Sequence, residues 1–388
     1  MIRHDVIVVG GGPVGNRVAS LLAKEYDVLV MEEHSVPGRP MQCTGLISDK
    51  VVELSGVKPT ILNRLYGANV FLPNGQSIKI RSKEHKGVLI DRSEFDALMA
   101  SKAEDDGAKH MYSSRFLSHS IRNGSVIAET DKTTIEASMI VGADGHNSVL
   151  ARTIDNNRPL EYVRGIQADI KHRAEDQDMV NIRTGSETAP GFFSWEIPFG
   201  DMTRVGLCTS WSAGPPSVYL KALMKRTGLE DKEIVNKYCG RIPIGGQRRT
   251  YADHLLLVGD AACQVKPVSG GGLHPAFLSS YAVAETVAEA FDDNDFSEGS
   301  LSVYEKRWKR AAGKELRRGY ILRKMYTTMK DNELNRAVDI FSNDDMKNVL
   351  GNADIDRPSD LLFRLMKDPK AMMRLMPIMT KAMLRSIL

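Results

Sequence analysis

The stretch Asp5-Val-Ile-Val-Val-Gly-Gly-Gly-Pro-Val-Gly-Asn16 decides the fold. Val6 to Val9 are four consecutive β-branched residues, the unbroken apolar run of a central parallel strand covered on both faces. Gly10, Gly12 and Gly15 follow as GxGxxG, and Asn16 to Ala23 carries helical apolar spacing at Val18, Leu21 and Leu22. Strand, tight turn and helix in that order make a phosphate cradle. The glycines let a pyrophosphate approach the backbone, and the free N–H groups of the helix start hold its charge. A second strand, Val28 to Met31, ends at Glu32, 22 residues beyond Gly10. An acid so placed accepts hydrogen bonds from a ribose with a free 2′-hydroxyl. FAD and NAD both use this turn, so the stretch alone leaves the choice between them open.

Two later segments repeat the logic of a strand running into glycines. One is Met139-Ile-Val-Gly-Ala-Asp-Gly-His-Asn-Ser148, which contains Asp144. The other is Leu255-Leu-Leu-Val-Gly-Asp-Ala-Ala262, which contains Asp260 and precedes Gly270, Gly271 and Gly272. An apolar helix follows, with a stripe at Phe277, Ala284, Ala288 and Phe291. Between the first two glycine segments, Val88 to Ile90 reads as a strand leading into Arg92 and a helix for which Ser93 is the expected N-cap.

Taken together, GxGxxG, GADGxxS and GDAA before a glycine-rich helix start resemble the FAD-binding set of flavoproteins with the p-hydroxybenzoate hydroxylase fold. The resemblance implies that Asp260 contacts the ribityl and pyrophosphate region of FAD, and that Arg92 also contacts the cofactor. It implies further that Gly271, Gly272 and Leu273 offer backbone N–H groups to the flavin pyrimidine edge. Reduced flavin is anionic near N1, and a helix N-terminus stabilises that charge. No second dinucleotide fingerprint occurs, so a dedicated NAD(P)H domain is not expected. The fold class expected is α/β: a Rossmann-type FAD-binding unit over residues 1–65, 88–155 and 250–300, a β-sheet-rich substrate unit inserted over 66–87 and 156–249, and a C-terminal helical region over 301–388.

The inserted unit shows short alternating stretches, such as Val70, Leu72, Ile78 and Ile80 around the turn Pro73-Asn74-Gly75. Its most informative stretch is Pro190-Gly-Phe-Phe-Ser-Trp-Glu-Ile-Pro198. Phe193, Trp195 and Ile197 alternate there and so share one strand face, either as the wall of an apolar tunnel or as plain core. The stretch is similar to the PxxYxWxFP signature of the geranylgeranyl reductases, flavoproteins of this same fold that saturate isoprenoid chains of membrane lipids. Phe193 stands in place of the tyrosine and Ile197 in place of the phenylalanine, so the wall stays apolar and a phenolic hydroxyl is lost. Pro40-Met-Gln-Cys-Thr-Gly-Leu-Ile-Ser48 looks like the segment these reductases place beside the flavin, which puts Cys43, Thr44 and Gly45 at the cofactor. Cys43 either donates a proton, contacts substrate or packs as a small hydrophobe. Gln264 to Gly272 looks like their flavin-edge segment. It carries Lys266, and His274 just beyond it is either a second candidate acid or a capping and packing residue.

Composition limits what else the chain can be. It has 388 residues, 42% hydrophobic and 26% charged, which is the profile of a globular protein with a real core. Cys43, Cys208, Cys239 and Cys263 lie far apart, with no CxxC pair, so neither a zinc site nor a disulfide framework is expected. The net charge of +3 does not point to nucleic acid. No run of about 18 uncharged apolar residues is present, which predicts a cytoplasmic protein without a spanning helix. The last 88 residues hold 19 basic and 11 acidic side chains and nine of the eighteen methionines. Met372, Met376, Met379, Met383 and Ile387 fall at helical spacing among Lys370, Arg374, Lys381 and Arg385. That pattern suits either a peripheral contact with an anionic membrane or a helix packed on the body.

The function these readings lead to is ene-reduction of geranylgeranyl chains of membrane lipids by hydride transfer from reduced FAD. Cys43 and His274 are the candidate acids, and ferredoxin or NAD(P)H is the expected electron donor. An FAD monooxygenase or halogenase is the rival enzyme, because Phe193 to Pro198 is also similar to the halogenase WxWxIP. A flavin-carrying membrane scaffold without turnover is the third reading.

Overall fold

The computed structural model describes residues 2–154, 158–246, 249–341 and 344–360, together with positions 373, 376–377 and 380–385. Val6 to Val9 form the end of a strand, Ile2–Val9, at the centre of the first sheet. It pairs in parallel with Thr134–Gly142 on one side and Val28–Met31 on the other. Leu255–Leu257 and Lys109–Met111 extend the parallel array outward. Val6 and Val8 enter a core with Val18, Leu22 and Val283, whereas Ile7 and Val9 enter another with Leu29, Ile140 and Leu150. The apolar run is therefore continuous because both faces are covered.

The first core is closed by two helices, Pro13–Leu22 and Leu273–Asp292. Pro13 occupies the first turn of its helix, where a missing N–H costs nothing, so the helix begins three residues earlier than the apolar spacing suggested. A small antiparallel sheet, Leu46–Ile47, Gly87–Ile90 and Ile61–Leu65, packs with the helix Arg92–Asp105. Its helix N-cap is Asp91, not Ser93. The Asp91 carboxylate accepts from both Ser93 N and Glu94 N, which a serine hydroxyl at 93 does not do.

The second sheet has seven strands, all drawn from residues 67–81 and 161–244. Its order is Ile234–Ile244, Glu161–Lys171, Met202–Ser210, Ser194–Phe199, Met179–Arg183, Gly67–Phe71 and Ser77–Arg81. One face is apolar: Ile166, Ala168, Ile170, Val205 and Leu207 pack beneath the helix Pro216–Arg226. The opposite face carries the polar residues between them, and it is this face that meets the first sheet's loops.

Helices Lys314–Thr328, Asp331–Phe341 and Asp344–Gly351 form the C-terminal region. Arg323, 2% exposed, pairs with Glu161 at 2.7 Å and donates to the carbonyl of Gly191. Tyr326 donates to the carbonyl of Phe192, so this region braces the aromatic stretch. Of the expected basic methionine stripe, Lys370, Met372, Arg374, Met379 and Ile387 lie outside the described residues. Met376 and Met383 are helical and exposed, while Ala382 is buried and Arg385 pairs with Glu333 at 2.7 Å.

Candidate active site

The glycine turn is built as the sequence required. Gly10 has φ +103°, and a Cβ there would lie 2.4 Å from the carbonyl oxygen of Ala143; a Cβ on Gly15 would lie 1.9 Å from that of Gly10. Gly12, the residue before the helix, has open space where its Cβ would be, and no side chain caps the helix start. The first-turn N–H groups therefore face an open cradle. Glu32 is fixed beside it, accepting from Gly11 N at 2.8 Å and from His34 N at 2.9 Å.

Two carboxylates from the other glycine segments reach the same region. Asp144 accepts from Val149 N and Leu150 N through one oxygen, while the other oxygen is buried without a partner. Burial raises its carboxyl above the ordinary range despite those bonds. Asp260 accepts no side-chain hydrogen bond among the described residues, and burial pushes it up to about 6 against the pull of Arg92. Its Oδ1 lies 3.1 Å from the position a Cβ on Gly272 would take. Gly272 precedes the helix Leu273–Asp292 without a side-chain cap, so the N–H groups of that helix start are also free of side-chain caps. Gly271, next to it, abuts Lys266, and His274 follows in the first turn.

Arg92 lies at the centre of the arrangement. It is buried, pairs with Asp96 at 2.8 Å and has the Cys43 thiol against it; burial alone would lower its basicity, but these neighbours raise it on balance. Cys43 and Thr44 are held from the second sheet. Gln167 donates to the carbonyl of Cys43 at 3.0 Å and accepts from the Thr44 hydroxyl at 3.0 Å. Arg204 donates to the carbonyl of Thr44, and its guanidinium lies beside Gly45. A buried ion pair with Asp169, 2.7 Å, fixes Arg204, and Tyr238 donates its hydroxyl to the same carboxylate.

Strand register carries this polar group to the aromatic row. Gln167, Gly206 and Trp195 stand side by side on three adjacent strands, as do Asp169, Arg204 and Ile197. Trp195 packs with Phe192, Cys208 and Val265 on one side and with Leu65, Leu89 and Ile197 on the other. Phe193 lies just before the strand, with its ring edge-on to the indole at 6.2 Å between centroids. Cys43 is thus tied through its carbonyl to Gln167, which shares strand register with Gly206 and Trp195, whereas His274 lies on the Lys266 side and makes no hydrogen bond with Cys43. Burial holds the His274 imidazole below its ordinary value, although Asp356 opposes the shift.

Sequence reading missed Gln167, Asp169, Arg204 and Gly206. A signal was present: in Ile166-Gln-Ala-Asp-Ile170 the polar positions alternate with apolar ones, and all five are buried. Polar residues on a buried strand face need partners, and such a face is where a site is built.

The residues also place the chain among known proteins. A family model described as lycopene cyclase protein matches residues 5–375. A digeranylgeranylglycerophospholipid reductase of Methanothrix thermoacetophila is 30% identical over 90% of this chain and 94% of that one. The chain belongs to the lycopene cyclase protein family, and within it to the geranylgeranyl reductases. A geranylgeranyl bacteriochlorophyll reductase-like protein of Thermoplasma acidophilum superposes with TM-score 0.85 at 24% identity, over 97% of this chain and 100% of that one. A p-nitrophenol 4-monooxygenase of Pseudomonas putida reaches TM-score 0.72 at 15% identity, over 94% and 98%. These two likenesses concern the fold.

FAD is the cofactor of the geranylgeranyl reductases, and this member's residues fit it. The open cradle at Gly12, the orphaned oxygen of Asp144, the unpartnered carboxylate of Asp260 and the uncapped start at Gly272 all await a polar ligand. Pyrophosphate, ribityl hydroxyls and a flavin edge are the groups that satisfy them. Among the described residues no cluster of His, Cys, Asp and Glu is suited to a metal ion, and no helix is long and apolar enough to cross a membrane.

Proposed function

We propose that this protein saturates carbon–carbon double bonds in the geranylgeranyl chains of membrane lipids. The observation that supports the reading best is the row Phe193, Trp195 and Ile197, which continues by strand register into the residues that hold Cys43 and Thr44. An apolar wall thus ends where the cofactor's reactive edge is expected.

In this reading Gly10, Gly12, Gly15, Asp144, Asp260 and Arg92 hold FAD, and Glu32 holds its ribose. The N–H groups of Gly271, Gly272 and Leu273 meet the pyrimidine edge, where the helix N-terminus favours negative charge. FAD, when bound and reduced, supplies the hydride from N5. The chain supplies position, dryness and a proton. An isolated alkene has no carbonyl to polarise it, so holding it at contact distance in a water-poor channel provides much of the rate. Of the two candidate acids Cys43 is the better placed, since its carbonyl is held by Gln167, the strand neighbour of Gly206 and Trp195. His274, whose imidazole burial holds below its ordinary value, serves the flavin edge. Ferredoxin or NAD(P)H supplies the electrons, and the protein works on the cytoplasmic side of the membrane, with exposed Met376, Met383 and Leu384 of the last helical segment toward the lipid.

The test is anaerobic. The FAD-loaded protein is reduced with dithionite and mixed with a geranylgeranyl glycerophospholipid while flavin absorbance is followed and products are weighed by mass spectrometry. Reoxidation with a mass gain of two per double bond is expected. Flavin that stays reduced with the lipid, yet forms a long-lived oxygen adduct in air, would replace this reading with a monooxygenase.

A further inference from the structure

Away from the aromatic row, a cleft of about 380 Å³ opens between the segment after Asp144 and the outer strands of the second sheet. Arg152, Arg158 and Arg241 line it, with Tyr162 and Trp211 as its aromatic residues and Asp260 also in its lining. Arg152 donates to the carbonyl and side-chain oxygen of Asn147, both at 3.1 Å. Arg241 lies over Trp211, 5.2 Å from the ring centroid, beside Arg164, which is 4.6 Å from the same ring and donates to the carbonyls of Trp211 and Gly214. Arg158 makes no hydrogen bond among the described residues.

None of the three lining arginines is paired with a carboxylate among the described residues. Among the described residues the one acid lining the cleft is Asp260, and the charge felt there comes from Arg92 rather than from these three. Three guanidiniums gathered with no carboxylate paired to them among the described residues repel one another. The arrangement is stable in water but strongly favours an anion that can accept several forked N–H groups at once, and phosphate esters do that best. Tyr162, whose hydroxyl donates to the carbonyl of His146 at 3.1 Å, is engaged at its tip and presents only its ring.

We propose that this cleft is a phosphate-ester site, distinct from the pyrophosphate cradle at Gly10 to Gly15 and adjoining it at Asp260. The ligand is either the phosphate of a lipid headgroup or that of a nucleotide, and both present the same dianion to the arginines. The inference does not depend on the polyprenyl reading, because its probe is phosphate itself.

The experiment is calorimetric titration of the FAD-loaded protein with inorganic phosphate, glycerol phosphate, NADP+ and NAD+. Inorganic phosphate is expected to bind, and Arg158→Gln to weaken it by about tenfold, the loss of one charge-assisted hydrogen bond. Arg158→Gln with Arg241→Gln should weaken it by about a hundredfold. Arg158 is exposed and makes no hydrogen bond among the described residues, so this single variant should keep wild-type FAD content and melting temperature. Glycerol phosphate binding more tightly than phosphate assigns a lipid headgroup; NADP+ binding well above NAD+ assigns a nucleotide. The proposal is overturned if no probe binds, if binding survives both substitutions, or if phosphate binds only after FAD is removed.

Discussion

Gly206 stands directly across from Trp195, and a Cβ on it would fall 2.6 Å from both Cε2 and Cζ2 of the indole and 2.6 Å from Cβ of Gln167. The indole therefore lies across a strand that has no side chain at that point, and Gln167 stands on its far side. Gly206→Ala should push the indole off this position and, because Gln167 Cβ is fixed to its own strand, also shift that strand pair slightly. With the reacting chain displaced by a fraction of a bond length or more, turnover of geranylgeranyl lipid should fall by about tenfold to a hundredfold while FAD content stays unchanged. A wild-type rate in this variant would mean that the indole does not set the position of the substrate.

Trp195 itself separates wall from scaffold. Its Nε1 is buried without a partner, so Trp195→Phe loses no hydrogen bond and should be near neutral in stability. Trp195→Ala removes the ring from two clusters at once and should cost about 3 kcal/mol. At a temperature where it is folded, it should retain FAD but turn over lipid poorly. Loss of FAD from the purified variant would show that the residue supports the fold instead of the channel.

The strand, the glycine turn and Glu32 were legible in sequence because the atoms that define them are close along the chain or at a fixed spacing. Glu32 meets Gly11 after one helix and one strand, and no other element intervenes. Gln167 meets Cys43, and Arg204 meets Thr44, across more than a hundred residues and through sheet register, which one sequence does not encode locally. Ser93 was misread as a cap because Asp91 and Ser93 are both short polar residues and only geometry shows which one reaches the free N–H groups. Lys266 carries no local sign of its buried partner, Asp356, because the two stand 90 positions apart.

The Arg204 and Asp169 pair allows a test of how the Cys43 loop is held. Both side chains are 5% exposed, and the carboxylate is fully engaged by Arg204 and Tyr238. Asp169→Ala leaves a buried guanidinium with only the Thr44 carbonyl, at a cost of about 3 to 5 kcal/mol in urea denaturation. Replacing both residues by leucine should cost less than the single change. A single variant within about 1 kcal/mol of wild type would mean that water reaches the pair.

Asp260 makes stability depend on pH in the apo-protein. Its carboxyl is raised from 3.8 to about 6 by burial, so the folded state holds this proton more tightly than the unfolded chain. The favourable contribution is complete below pH 3.8 and is lost as pH rises to about 6. Asp260→Asn, which keeps the shape without the charge, should therefore gain on wild type between about pH 4 and 6 and hold that gain above it. Its FAD affinity should nevertheless fall, because the ligand hydroxyls lose an anionic acceptor. Parallel denaturation curves at pH 4 and 7 would contradict the assignment of Asp260 as a buried, unpartnered acid.

Lys266 closes the site from the helix side. Its Nζ lies 2.9 Å from Asp356 and 3.0 Å from the carbonyl of Ile355, and Ser48 donates to the other Asp356 oxygen at 2.5 Å. One buried carboxylate thus ties the segment Gln264 to Gly272, the end of the Cys43 loop and the C-terminal region together. Lys266→Met leaves Asp356 buried with one hydroxyl partner and should destabilise the protein by about 3 to 5 kcal/mol. Lys266→Met with Asp356→Leu removes the stranded charge and should recover most of that loss. The double variant should still bind FAD more weakly than wild type, because the Lys266 stem abuts Gly271 and steadies the turn offered to the ring. Equal FAD affinity in the double variant and wild type would limit the clasp to holding the C-terminal region in place and leave the flavin edge to Gly271 and Gly272 alone.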